Sequence, residues 1–548
     1  MSNALTMDSF SRKAVENFVQ TVVFVDDKIY APSPKGTVVD VEKLSGPKAR
    51  KPATKSAASI VTETATTTRN TPEYEPNYSP HDIQASFAKK QIVCSLHQPV
   101  KAKSVGVESD TYKLCASADI VIVDWDLYGD AGENATLLIE NLLIQSLKDD
   151  PHQLRLVLVY TDNLNLFDVA DKVSERLSEK LVEGIEDRDA DLGLAFHTSN
   201  SRVVVLGKPA ERLDEFKPFE VSEADLANRS INEFCKLADG MLQSGILIGL
   251  ATIRKQSKKI LSKFHAGLDA AFLTHRALLQ PHEEAFDHIA PLLVAEIQAI
   301  LEDMLESPLV PEAVVQDWCK KTEFGKCAQS TVKGTDFKSF AYDFCRFGYD
   351  ANGKHSLSIA PTKKQLPALL LPDKKSTNPP QPDMTSMEQL AALMSHRTHY
   401  DNQKRLLRLG TILKEVSGNR YLICLQPVCD CNRLTGSNPF LFCFFNKSDG
   451  SKNKVTHIAP DGNGFCELSF NPCKENRAII SFTANHKTRV AAMKGNNAEY
   501  LFLDDKKNEY QWIAQLKVEH SQRVAEQFAR ELSRVGLTES EWLRIKAS

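Results

Sequence analysis

Four groups of residues in this sequence could together handle a phosphoryl group and a hard cation. Asp26 and Asp27 follow the apolar run Thr21-Val22-Val23-Phe24-Val25, and Asp124 follows Ile120-Val121-Ile122-Val123. Thr161 closes the apolar run Leu154 to Tyr160, and Lys208-Pro209 follow Val203-Val204-Val205-Leu206-Gly207. Carboxylates are hard oxygen ligands suited to Mg²⁺, which prefers octahedral oxygen coordination and keeps several waters. A carboxylate attacks a phosphoryl group only when the repulsion between the two negative groups is neutralised. A cation held by Asp26, Asp27 and Asp124 would do so, with a lysine and a hydroxyl to receive the phosphoryl oxygens. Phosphoryl transfer is catalysed chiefly by such positioning and charge stabilisation.

All four groups sit where an apolar strand should end. The intervening segments have the composition and spacing of helices: residues 9–20, His81–Lys90, Ser109–Ala118, Asn134–Leu147 and Phe167–Glu183. Near-continuous apolar strands alternating with helices predict a parallel sheet covered on both faces. In such a sheet, ligands bind outside the carboxyl ends of the strands. Residues 32–80 interrupt the pattern. They are rich in Pro, Lys, Ser, Thr and Ala, bury little apolar surface, and are expected to form a disordered insert.

The order acid pair, lone acid, hydroxyl, lysine-proline resembles the receiver domain of two-component response regulators. The resemblance covers about residues 10–30 and 80–215 and implies a five-stranded flavodoxin-like α/β fold. It implies Asp124 as the phosphoacceptor, Lys208 and Thr161 as contacts to phosphoryl oxygens, and a sensor histidine kinase as donor. It adds the backbone carbonyl of Asp126 to the Mg²⁺ ligands Asp26, Asp27 and Asp124. Gly132 stands eight residues after Asp124, where receivers commonly carry glycine. Two positions depart from the pattern: Tyr128 occupies the usual proline position, and Val205 occupies that of the aromatic switch residue.

Asp124-Trp125-Asp126 also reads as the DxD motif of haloacid-dehalogenase-type phosphatases. That family needs a later acidic motif in the same domain, and the match here, Leu503-Asp504-Asp505, lies far downstream. Cysteines 424, 429, 431, 443, 466 and 473 contain no CxxC pair, and reduced buried thiols are the expectation over a zinc site.

The chain has 548 residues, 42% hydrophobic and 25% charged, with a formal net charge of −4. That balance does not suggest a dedicated nucleic-acid binder, although it leaves room for a local basic patch. Twelve scattered cysteines do not form a dense disulfide framework. There is no leader-like N-terminus and no apolar run of membrane-spanning length, so a cytoplasmic protein without membrane attachment is expected. The expected division is a receiver domain at 1–215, a helical region at 216–380 and a C-terminal α+β domain at 381–548. Beyond 215 no catalytic motif stands out, and no enzymatic activity is expected outside the receiver's own phosphorylation and dephosphorylation. The segments Ile248-Gly249-Leu250-Ala251-Thr252-Ile253-Arg254, Gln426-Pro427-Val428-Cys429-Asp430 and Ser533-Arg534-Val535-Gly536-Leu537 resemble a divergent receiver family of Detocs-type antiviral systems. That resemblance implies a phosphate sink or adaptor acting beside a companion response regulator. An effector with a C-terminal activity of unfamiliar type is the alternative.

Overall fold

In the computed structural model, residues 5–532 are described apart from 30–78, 101–104, 150–152, 181–185, 189–191, 199, 281, 304–307, 356, 376, 401–403, 419, 449–454, 463, 473–475, 487 and 496–498, together with 542, 545 and 546. The expected insert at 32–80 thus lies, up to residue 78, outside the described residues.

Five strands build the parallel sheet: β1 (Thr21–Val25), β2 (Val93–His97), β3 (Ile120–Asp124), β4 (Arg155–Thr161) and β7 (Ser201–Gly207). Their spatial order is β2-β1-β3-β4-β7, all parallel. Two short strands that no apolar alternation announces, β5 (Glu186–Arg188) and β6 (Ala195–His197), extend the sheet antiparallel beyond β7.

Alternate residues of each strand feed two cores. Val121, Val123, Val157, Val159, Val203 and Val205 face α3 (Asp110–Ala116), α4 (Glu133–Asp149) and α5 (Leu166–Lys180). Ile120, Ile122, Leu156, Leu158, Val204 and Leu206 face the other way. There they meet α1 (Met7–Phe18), α2 (Pro80–Ala88), α6 (Leu226–Leu237) and α7 (Met241–Lys263). Each fully buried Val or Ile contributes roughly 1.5–3 kcal/mol. Local signals start the helices: Thr6 makes a reciprocal cap with Ser9, and Ser79 caps α2 ahead of Pro80.

In the helical region that follows residue 215, the apolar helical spacing that runs on from Leu226 to Ile253 belongs to two helices, α6 and α7. The chain leaves helical geometry at Ala238, and Gly240 is the N-cap of α7. Ser11 of α1 donates to the freed Ala238 carbonyl at 2.9 Å, so a side chain from another helix fixes the break. Because Leu226, Ile231, Phe234 and Leu247 belong to the core of the first sheet, the compact unit extends past the expected boundary at 215. One unit comprises residues 1–274 and 286–318, and the other 275–285 and 319–548. α8 (Asp269–Leu278), α9 (Ile289–Asp303) and α10 (Glu312–Lys321) follow α7. None of the described helices is long and apolar enough to cross a membrane.

The second unit carries α11 (Lys326–Ser330), α12 (Phe337–Phe347) and α13 (Thr385–Ser395), then a β-rich domain. Its nine-stranded sheet uses β8 (Thr411–Glu415), β9 (Tyr421–Cys424), β10 (Ser437–Lys447), β11 (His457–Asp461), β12 (Gly464–Phe470), β13 (Arg477–Thr483), β14 (Met493–Lys494), β15 (Tyr500–Leu503) and β16 (Glu509–Gln515). The pairings are antiparallel, and α14 (Val518–Leu532) inserts Val524 and Phe528 into one of the two cores.

One buried ion pair joins β7 to α6. Arg202 donates through Nε and Nη2 to Glu233 Oε2 at 3.0 and 2.8 Å, with side chains only 1% and 2% exposed. Without Arg202, Glu233 keeps only the more exposed Arg229 at 3.0 Å and Lys236 at 3.4 Å, so the loss costs about 3 kcal/mol, the low end for breaking a buried pair. Arg202→Met should lower stability by that amount, read from the urea unfolding midpoint of the full chain, while Asp8→Asn, at an exposed position, should not.

Candidate phosphoryl-transfer site

The carboxyl ends of β1, β3, β4 and β7 bring the sequence-selected side chains together. Asp26, Asp27 and Asp124 present carboxylate oxygens that all lie within 4.8 Å of one another. This is the one group of three or more metal-competent side chains among the described residues. Lys208 reaches in from the end of β7, its Nζ donating to Asp124 Oδ1 at 2.6 Å and lying 3.5 Å from Asp26 Oδ2. Thr161 is buried at the end of β4 and accepts the Asn163 amide on its hydroxyl at 3.0 Å.

Backbone amides fix the direction of each acid, from its own turn for Asp26 and Asp124 and from the loop after β3 for Asp27. Asp26 Oδ1 accepts the Lys28 amide at 2.7 Å, and Asp124 Oδ2 accepts the Asp126 amide at 3.2 Å. Asp27 Oδ2 accepts the Tyr128 amide at 3.0 Å, whereas its buried Oδ1 has no hydrogen-bond partner among the described residues. The Asp126 carboxylate turns away to accept the Ala131 amide at 2.9 Å. The Asp126 carboxylate is not among the grouped oxygens of Asp26, Asp27 and Asp124.

Burial raises the Asp124 carboxyl to about 6, with Asp26 adding to the rise and Lys208 opposing it. Burial works to lower the Lys208 ammonium, but Asp124 and Asp26 outweigh it and hold the group above its ordinary range. With all three acids ionised, they exceed the single ammonium by two negative charges. The orphaned Asp27 oxygen and this excess fit a divalent cation held by hard oxygens.

Both departures from the receiver pattern have a local explanation or a location. Tyr128 adopts φ +64° and donates its amide to Asp27. Proline has no amide hydrogen and a φ near −65°, so it could do neither. Val205 is fully buried against the α4–α5 core. Gly132 has φ +95°, and a Cβ there would run into the Trp125 ring. The acids of the alternative phosphatase motif belong to the second unit. Asp504 accepts the Lys506 and Asn508 amides in the β15–β16 turn, and Asp505 accepts the Thr483 hydroxyl at 2.8 Å.

Sequence reasoning missed Arg212. Its fully buried guanidinium donates from Nε to the Asn163 carbonyl at 2.9 Å and from Nη2 to the Thr161 carbonyl at 3.1 Å. Nη1 bonds the Lys208 carbonyl and pairs with Glu220 at 3.2 Å. One side chain thus holds the Thr161 loop and the Lys208 loop together. Gly207 gives it room, since a Cβ there would come within 2.7 Å of Nη1. No motif spacing marks Arg212. The nearest signal was the glycine before Lys208.

Residues 18–213 match the family model described as a response receiver domain, so the chain contains such a domain. No curated protein and no solved structure matches the chain.

Two outcomes follow from this geometry. Arg212→Met leaves the Asn163 and Lys208 carbonyls and Glu220 without the arginine donor, while the Thr161 carbonyl keeps the Lys208 amide at 2.7 Å. It should cost about 3 kcal/mol or more in unfolding free energy, from the usual penalty for unsatisfied buried groups, measured by urea titration. Mg²⁺ affinity, measured by calorimetry, should fall as pH drops from 7.5 through about 6. In that range Asp124 takes up a proton and ceases to be a charged ligand.

Proposed function

We propose that this protein is a two-component phosphoacceptor that takes a phosphoryl group from a histidine kinase onto Asp124. The observation that carries the reading is the convergence of three carboxylates within 4.8 Å at the strand ends, with the Lys208 ammonium 2.6 Å from Asp124. Asp26, Asp27, Asp124 and the backbone carbonyl of Asp126 would hold Mg²⁺, which when bound neutralises charge on the phosphoryl oxygens.

The chain's own residues supply the rest. An Asp124 carboxylate oxygen attacks phosphorus while the P–N bond to the donor imidazole breaks. The electron pair of that bond leaves with the imidazole, which takes up a proton. Lys208 exchanges its bond to Asp124 for one to a phosphoryl oxygen, and the Thr161 hydroxyl donates to another. Arg212 keeps the loops bearing these two groups at fixed separation, so the site meets the charge without reorganising. Hydrolysis of the acyl phosphate returns Asp124.

The finer reading is a phosphoryl sink or adaptor in a bacterial antiviral system, sharing its kinase with a companion response regulator. It rests on the resemblance of the downstream segments and on Val205, an aliphatic side chain sealed in the core where receivers that relay phosphorylation carry an aromatic one. A sink acts by competing for phosphoryl groups and needs no coupling free energy. A switch requires a coupling of about 1–3 kcal/mol between two states.

Incubation with the kinase and ATP, or with a small phosphodonor, should give an acid-labile phosphoryl group on the wild type and on Asp126→Asn, and none on Asp124→Asn. Phosphate retained by Asp124→Asn removes the acceptor assignment. Asp124→Asn should also raise phosphorylation of the companion regulator in a reconstituted mixture. No rise there would favour the effector alternative while leaving the acceptor intact.

A further inference from the structure

The second unit contains a concentration of positive charge that the receiver chemistry does not use. It is built from the segment after α13, the turn before β14 and the strand β16. The Arg397 amide donates to the Gln515 carbonyl at 2.7 Å, which sets the first segment beside β16. The Leu407 amide donates to Val490 at 2.9 Å and the Ala492 amide to Arg405 at 2.8 Å, which sets it beside the turn carrying Arg489. Arg397, Arg405 and Arg408 are thereby gathered around His399, with Arg489 beside Arg408 and Lys404 at His486 in the adjoining turn.

The cluster is held in place. Arg405 is buried, with its guanidinium 4.7 Å from the Tyr500 ring centre and 4.9 Å from that of Trp512. The His399 ring packs edge-on against the same Trp512 at 4.9 Å. Lys404 Nζ lies 3.1 and 3.3 Å from the two ring nitrogens of His486. Arg397 is exposed and Arg408 half-buried, and neither forms an ion pair among the described residues. Burial, and after it the charges of Arg397 and Arg489, hold the Arg408 guanidinium below its ordinary range. Burial likewise brings the His399 imidazole down to about 4, with Arg405, Arg397 and Arg408 adding to the effect.

Guanidiniums crowded together and partly withdrawn from water raise one another's energy, and an anion seated among them reverses the sign of that interaction. The planar donor fork of arginine matches phosphate oxygens in a way a lysine does not. We propose that this cluster binds the phosphate groups of a ligand, with Arg397 and Arg408 making the contacts and Arg405, fixed between two rings, supplying a stationary positive wall. Although the chain carries a formal net charge of −4, this patch of the β-rich domain is locally basic. The proposal is independent of the receiver reading.

Calorimetric titration of the full chain with sodium tripolyphosphate tests it. Saturable binding is expected, weakened at least tenfold in Arg397→Gln and in Arg408→Gln. It should be unchanged in Arg420→Gln, which alters an exposed arginine paired with Glu415 elsewhere in the sheet. Arg397 is exposed, so its variant keeps the test decisive if Arg408→Gln does not fold. A parallel titration with a single-stranded oligonucleotide identifies the source of the phosphates. Binding of tripolyphosphate points to a small phosphorylated ligand. Binding of the oligonucleotide alone, steeply weakened by salt and by both substitutions, points to a nucleic-acid backbone. No saturable binding of either probe, or binding that Arg397→Gln and Arg408→Gln leave unaltered, overturns the proposal.

Discussion

The first unit is organised around one electrostatic constraint, the attachment of a single ammonium to a set of buried carboxylates. Lys208 lies 2.6 Å from Asp124 and 3.5 Å from Asp26, and both acids are almost fully withdrawn from water. Grouped carboxylates of this kind repel one another and lose solvation on burial, so they persist only where fixed positive charge and amide dipoles oppose those costs. Each acid here accepts a backbone amide, and the lysine bridges two of the three. The remaining negative excess is what makes the pocket suited to a divalent cation and, through it, to a phosphoryl group.

Holding that balance requires four strand ends in register, which the parallel ladders provide. β1 pairs with β3, β3 with β4 and β4 with β7, so Asp26, Asp124, Thr161 and Lys208 emerge at one edge of the sheet. The loops beyond the strands are not set by the ladders. Arg212 joins two of them by bonding the Thr161, Asn163 and Lys208 carbonyls and pairing with Glu220. Tyr160, the residue before Thr161, places its ring 5.6 Å from the Lys208 ammonium and donates its hydroxyl to the Val221 carbonyl at 2.7 Å. Both contacts run from the acidic pocket to the segment that leads into α6. The helices after β7 are thus part of the support of the site.

The second unit answers a different constraint. An antiparallel sheet with apolar residues on both faces needs cover on both sides, and here two clusters supply it. Its polar features arise where irregular segments cross the sheet. The basic group around His399 is one such place, formed by residues almost a hundred positions apart in the chain.

The apolar runs alone specify the parallel sheet and the residues at its carboxyl edge. The reason is local: each of Asp26, Asp124, Thr161 and Lys208 directly follows or ends an apolar run, and the run's period fixes where the strand stops. The receiver resemblance also marked Gly132, and the structure supplies the reason: its positive φ and the nearby Trp125 ring tolerate no side chain. The sequence could not determine contacts made by residues with no periodic signature. Arg212 looks like any surface arginine until the fold closes two loops over it, and the hairpin β5–β6 is too short to show alternation. The break at Ala238 was hidden because the apolar spacing runs on through it, while a serine from α1 decides where the helix stops. The extent of the first unit was likewise a tertiary decision: Leu226, Ile231 and Phe234 have helical spacing in any context, and only the unfilled face of the sheet makes them part of its core.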